Sequence, residues 1–196
     1  MALINTSKPK EVNKKDIVEQ DSKLIKFMDS QHARVNNIKD LLGEFPAKDG
    51  VYYLWTMKSF NAFTFITYVI KYREYIEELT FSTYGINTRI VEALFKWLDK
   101  GKIGHINIFM SDSANYRIPK VIDLLKSHID TRPGKVDLFF GWNHSKITLM
   151  KTAHSYFTVT GSGNFSENAR HEQYTFADNA NLYRFYAKNI LDNANL

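Results

Sequence analysis

The feature that most constrains this chain is a change of rhythm near residue 135. Before it, strand-patterned and helix-patterned segments alternate. A short apolar run at Val51–Trp55 is followed by helical spacing at Phe60, Phe63, Ile66, Tyr68 and Ile70, with Ser59 as a candidate N-cap. A strand over Thr80–Tyr84, ended by Gly85, precedes a helix that Asn87 can cap, with Ile90, Leu94, Trp97 and Leu98 on one face. A strand at His105–Met110 precedes a helix over Ile118–Ile129, and Pro133-Gly134 marks the next turn. After it, Val136–Phe140, Lys146–Met150, Tyr156–Thr160 and Gln173–Phe176 are strand-patterned in close succession, and Asn181–Leu191 is a closing helix. Alternating units followed by a run of strands specify an α/β fold with a mixed β-sheet flanked by helices.

Ahead of this lies a different region. Residues 1 to about 20 read as a polar lead-in, and Leu24, Ile25, Met28, Val35, Ile38, Leu41 and Leu42 have helical spacing from Asp21 to Leu42. Gly43 and Pro46 punctuate its end. The expected division is a lead-in plus N-terminal helical extension over residues 1–45 and one domain over residues 46–196.

Composition removes several chemistries. There are no cysteines, which excludes disulfides, thiolate zinc sites and cysteine nucleophiles. The N-terminus has no apolar signal core, and the stretch Phe60–Ile70 is too short and too interrupted to span a bilayer. A cytoplasmic protein without a membrane partner is the expectation. The net charge of +5 is concentrated at Lys8, Lys10, Lys14, Lys15, Lys23 and Lys26. That run reads either as a solvated tail or as a phosphate-attracting arm.

The chemistry concentrates between Gly141 and Phe176. Residues two apart in a strand share a face, so His144 and Lys146 are expected to point the same way, an imidazole beside an ammonium. The next strand runs into Gly161-Ser162-Gly163-Asn164, where glycines permit a tight turn and Ser162 and Asn164 supply neutral donors. Two strand ends would then bring a nucleophile, a cation and donors to one point, as in-line phosphoryl transfer requires. Taken singly, each element is common: a strand histidine, an edge lysine, a glycine-rich loop. Their order and spacing carry the reading.

His-x-Lys followed after a second strand by Gly-Ser-x-Asn resembles the phospholipase D superfamily, with His144, Lys146, Gly161, Ser162 and Asn164 matching position by position. The layout resembles the small bacterial endonuclease branch, which has one motif per chain. The resemblance implies that His144 attacks phosphorus to form a phosphohistidine. It implies that Lys146, Ser162 and Asn164 hold phosphoryl oxygens, and that neither a metal nor a cofactor takes part. In that branch a glutamate orients the histidine, and Glu172 occupies the comparable place. The chain departs from the family at the eighth residue of the run, where Lys151 stands in place of aspartate. The implied mechanism uses two histidines, so a homodimer is expected, with nucleic acid as the other partner.

Three functions remain open on the sequence. The first is a metal-independent phosphodiesterase, more nuclease-like than lipase-like. The second is a non-catalytic nucleic-acid-binding or assembly protein on the same fold, and the third is a lipid phosphodiesterase. Among other residues, His154 and His171 flank the motif without metal-ligand spacing, and His32, His105 and His128 are scattered. Asp112 either lines the cleft or caps a turn. Tyr84 and Trp142 sit at strand ends and are read as core aromatics before base-stacking ones.

Overall fold

The computed structural model describes residues 25–30, 38, 42–57, 61–166 and 171–194. One mixed sheet is built from β1 (Ile25–Ser30), β2 (Val51–Met57), β3 (Ile76–Thr83), β4 (Ile103–Ser111), β5 (Val136–Gly141), β6 (Ile147–Lys151), β7 (Tyr156–Gly161) and β8 (His171–Asp178). Their spatial order is β1-β2-β8-β7-β6-β3-β4-β5. Helices with described bounds are α1 (Phe63–Arg73), α2 (Thr88–Asp99), the single turn α3 (Ala114–Arg117), α4 (Pro119–Asp130) and α5 (Ala180–Ala194).

The change of rhythm becomes a change of strand direction. β3, β4 and β5 are parallel, and their connections carry α2 and α4, which pack against each other. β6, β7 and β8 then pair antiparallel through short connections, and β8 pairs antiparallel with β2. On α2, the buried residues Ile90, Val91, Leu94, Phe95 and Leu98 form one face, and Asn87 caps its start by accepting from the Ile90 N–H at 3.0 Å.

The sheet is covered on both faces. The main core gathers Phe65, Phe81, Phe157, Phe165 and Phe176 with the apolar faces of α2 and α4. Phe65 of α1 packs on Tyr174 and Phe176 at ring separations of 5.3 Å. A smaller cluster forms where α5 crosses β5, β6 and β7, placing Tyr183 and Ile190 against Phe109 and Leu149. Fully burying side chains of this size contributes roughly 1.5–3 kcal/mol each before entropy is counted.

The N-terminal expectation needs correcting. Of the helix expected over Asp21–Leu42, residues Ile25–Ser30 form β1, parallel to β2, while Ile38 and Leu42 are helical and buried in the main core. The edge of β2 explains the change: a row of backbone donors and acceptors along β2 is satisfied by ladder bonds to β1, and that outweighs a helical spacing of apolar residues. The other residues of that segment, the lysines at positions 8, 10, 14, 15 and 23, and Ser59 and Phe60 lie outside the described residues. No helix among the described residues is long and apolar enough to cross a membrane.

Candidate active site

The carboxyl ends of β3, β4, β5 and β7 and the amino ends of β6 and β8 lie at the same end of the sheet. The segment from Asn143 to Lys146 crosses that end, from the edge strand β5 to the interior strand β6. A buried asparagine fixes its path. Asn143 Nδ2 donates to Ser82 Oγ at 2.8 Å and to the Phe109 carbonyl at 3.2 Å. Asn143 Oδ1 accepts from the Ser145 N–H and hydroxyl at 2.9 and 2.7 Å, and Ser145 Oγ also bonds Ser82 Oγ. Buried polar groups require partners, and this network supplies them while holding the segment to β3 and β4.

With Asn143 and Ser145 turned inward, His144 is exposed and Lys146 half-buried. Lys146 Nζ lies 3.2 Å from His144 Nδ1 and donates to the His144 carbonyl at 2.8 Å. The expected pairing of these side chains is therefore present, although both residues precede β6. Partial burial pulls the Lys146 ammonium below the ordinary lysine range, and the negative charge of Glu172 opposes that shift. The imidazole leans on Tyr84, with ring centroids 4.6 Å apart. The same tyrosine ring lies 5.6 Å from Lys146 Nζ and 3.7 Å from the guanidinium carbon of Arg117.

The second strand end approaches from the other side. A Cβ on Gly161 would come within 2.3 Å of the Gln173 carbonyl oxygen, so only glycine permits the close approach of β7 to β8 here. Ser162 then donates its N–H to the Gln173 carbonyl at 3.1 Å and accepts from the Gln173 N–H at 3.1 Å. Its hydroxyl donates to Glu172 Oε2. Phe165 docks the loop on β3: its N–H donates to the Gly85 carbonyl at 3.0 Å, and its ring meets Phe81 at 4.6 Å. Asn164 is thereby carried to the segment that holds Tyr84, and its Oδ1 is buried with no hydrogen-bond partner among the described residues.

His144, Lys146, Ser162, Asn164 and Glu172 thus gather at one end of the sheet. The Glu172 carboxylate is bound by Ser162, and no hydrogen bond joins it to His144 among the described residues. Lys151 lies at the other end of β6, bonded to Glu77 at 2.9 Å. Asp112 caps the turn, its Oδ1 accepting from the Ser113 N–H at 2.7 Å, and it also lines a cleft of about 690 Å³ between Trp142 and α5 that His144 and Lys146 do not line. Trp142 is fully exposed on that cleft, which corrects its reading as a core aromatic. The strand β5 ends at Gly141, so the ring projects beyond the sheet instead of into it.

The remaining histidines are engaged elsewhere or exposed. His105 meets Asp137 at 3.2 Å, His128 stacks on Phe95, His171 stacks on Trp55, and His154 is exposed; His32 lies outside the described residues. No group of three or more His, Asp or Glu side chains among the described residues is placed to hold a metal ion. Sequence reasoning missed Asn143, Ser82, Ser145 and Arg117. A polar residue directly before the histidine was the available sign for Asn143. Arg117 reaches Tyr84 only through tertiary structure.

No family model and no curated protein matches this sequence. Solved structures do match the fold. Nuc, a phospholipase D family member from Salmonella typhimurium, superposes with a TM-score of 0.56 at 16% identity, over 74% of this chain and 94% of that one. Polyphosphate kinase from Porphyromonas gingivalis superposes with a TM-score of 0.53 at 16% identity, over 72% of this chain and 26% of the kinase. The mixed sheet, the crossing at its end and these neighbours agree that the chain has a phospholipase D-like fold.

Proposed function

We propose that the protein is a metal-independent phosphodiesterase, a nuclease that works through a phosphohistidine at His144 in a homodimeric site. One observation carries the reading: an exposed imidazole whose Nδ1 lies 3.2 Å from a partly desolvated ammonium. An ammonium donating to Nδ1 leaves the ring proton on Nε2. When a phosphate oxygen draws Lys146 away, Nδ1 is free to take the proton and Nε2 to attack. The new bond joins Nε2 to phosphorus, the bond to the leaving oxygen breaks, and the partner's His144, entering the step as the imidazolium, protonates that oxygen and becomes neutral. The same partner imidazole then takes a proton from water, which displaces the histidine and releases a phosphomonoester. Lys146 and the Asn164 amide N–H stabilise the equatorial oxygens, joined by Ser162 once its hydroxyl leaves Glu172.

Each chain supplies one such histidine, so a second copy completes the cycle, and its exposure allows two to face each other across a two-fold axis. The net charge of +5 favours a polyanionic substrate over a neutral surface. The test is cleavage of an oligonucleotide in EDTA by the wild type and by His144→Ala. Turnover that survives chelation and disappears in the variant supports the reading. Turnover abolished by EDTA and restored by magnesium overturns it, as does full activity in a strict monomer by light scattering.

A second reading, a nucleic-acid-binding or assembly protein without turnover, is favoured by one contact. Ser162 holds Glu172 Oε2, and among the described residues no carboxylate is hydrogen-bonded to His144 to fix its tautomer. Oligonucleotide binding by the wild type and His144→Ala alike, with cleavage by neither, would select it.

A further inference from the structure

Arg117 is exposed at the end of α3, yet it is held more firmly than an exposed arginine needs to be. Its guanidinium lies flat against Tyr84, the carbon 3.7 Å from the ring centroid. Nη2 donates to the Tyr84 carbonyl at 2.6 Å and Nε to Ser113 Oγ at 3.1 Å. Ser113 is itself bonded to Ser111 Oγ at 2.8 Å, so the support reaches back to the end of β4. A guanidinium has five N–H donors, and these two contacts leave three unused. Among the described residues no carboxylate pairs with it. The arginine is therefore fixed in place, charged, and open on one side.

What it stands beside gives the fixed charge a purpose. Tyr84 is shared: His144 leans on it at 4.6 Å and Lys146 Nζ lies 5.6 Å from its centroid. Arg117 and Lys146 are thus two cations separated by at most one tyrosine ring and their stand-off from it. In the function proposed above, a single phosphodiester group engages Lys146 and His144. A second cation of fork geometry, one ring away, suits a second phosphate, because guanidinium binds phosphate oxygens bidentately while an ammonium acts as a point charge. Consecutive phosphates at short spacing along one chain are what a polynucleotide strand presents and an isolated diester does not.

We propose that Arg117 binds the phosphate next to the scissile one, and that this second contact makes the site select polynucleotide strands over isolated phosphodiesters. The assignment rests on the reading of His144 and Lys146 as a phosphodiester site. Tyr84 is the residue they share: its ring meets Arg117, Lys146 and His144.

The test compares wild type, Arg117→Gln and Arg117→Lys on two substrates, a short single-stranded oligonucleotide and bis(p-nitrophenyl) phosphate. The ratio of kcat/KM for oligonucleotide over the small diester should fall by about tenfold in Arg117→Gln, mainly through KM, and the salt slope of log KM should flatten by about one. Arg117→Lys should restore the salt slope but only part of the ratio, since it returns the charge without the fork. An unchanged ratio overturns the proposal. So does an equal loss on both substrates, which would make Arg117 a prop for Tyr84 and His144. If the wild type cleaves neither substrate, the phosphodiesterase reading fails on its own. Fluorescence anisotropy with the same oligonucleotide then decides the arginine: weaker binding with a flatter salt slope in Arg117→Gln supports it, and identical binding overturns it.

Discussion

Lys146 and Lys151 bracket one short strand and have opposite fates. Lys151, at the end of β6, is bonded to Glu77 at 2.9 Å, and that carboxylate raises its pKa above the ordinary lysine range. Lys146, just before β6, faces an imidazole and a tyrosine ring, and partial burial lowers its pKa. The first cation is neutralised by its neighbour and is finished as a structural contact. The second is left short of counter-charge, which costs the fold something and leaves the ammonium available to an incoming anion. The contrast also bears on the position where the family has aspartate. Lys151 stands at the far end of β6 from His144, bonded to Glu77.

The comparison is broken most directly at the residue Lys146 serves. His144→Ala should lower turnover by about 10⁴-fold or more, as loss of an attacking group does, while circular dichroism and the melting curve stay close to wild type. Measurable turnover at the wild-type rate would end the assignment. Next in size, Lys146→Ala should slow single-turnover cleavage by about a hundredfold through lost phosphoryl stabilisation. Removing a partly buried charge should at the same time hold or raise the melting temperature, whereas a marked fall would identify Lys146 as a structural residue.

The pH profile sharpens the same point. The proposed mechanism needs Lys146 charged, and burial lowers its pKa from that of an ordinary lysine. The alkaline limb of the rate should therefore begin below the ordinary lysine range and move upward in Lys146→Arg. For Lys151 the sign is reversed. Its pairing with Glu77 stabilises the fold at pH values below the ordinary lysine pKa, and that contribution is lost as pH rises through the raised value. Glu172→Gln should cost about tenfold, the scale of a group acting through another residue, with the alkaline limb shifted down because the Glu172 charge supports the Lys146 cation. The smallest effect belongs to Lys151→Ala. Exposed ion pairs contribute little, so kcat/KM should stay within about twofold of wild type. A large loss of activity in that variant would mean that the two ends of β6 are coupled.

How much of this was legible in the sequence depends on the range of the interactions. Asn87 and the spacing from Ile90 to Leu98 specify α2 locally, and the structure keeps both the cap and the face. His144, Lys146, Ser162 and Asn164 are expected together from the order of two strands, and the structure brings those two strand ends to one end of the sheet. Ile25–Ser30 was misread because its apolar spacing fits a helix, and only the edge of β2, across the rest of the chain, decides otherwise. Tyr84 and Arg117 stand 33 residues apart and meet through two turns after parallel strands, so no local pattern announces them. Trp142 was placed inside by composition alone, and its position beyond the last residue of β5 puts it outside.

The strand order has a consequence for the birth of the molecule on the ribosome. β2 and β3 are separated in the sheet by β8, β7 and β6, which come last in chain order among the described strands of this sheet. Until they emerge, β2 and β3 each have an edge without its final partner, and unpaired edges of this kind invite pairing with other chains. The strands that close this gap are the same ones that bring Lys146, Ser162 and Glu172 to the end of the sheet. A nascent chain stalled before residue 171 therefore carries sticky edges and an incomplete site together, and molecules holding a complete site have passed the stage at which the edges were open.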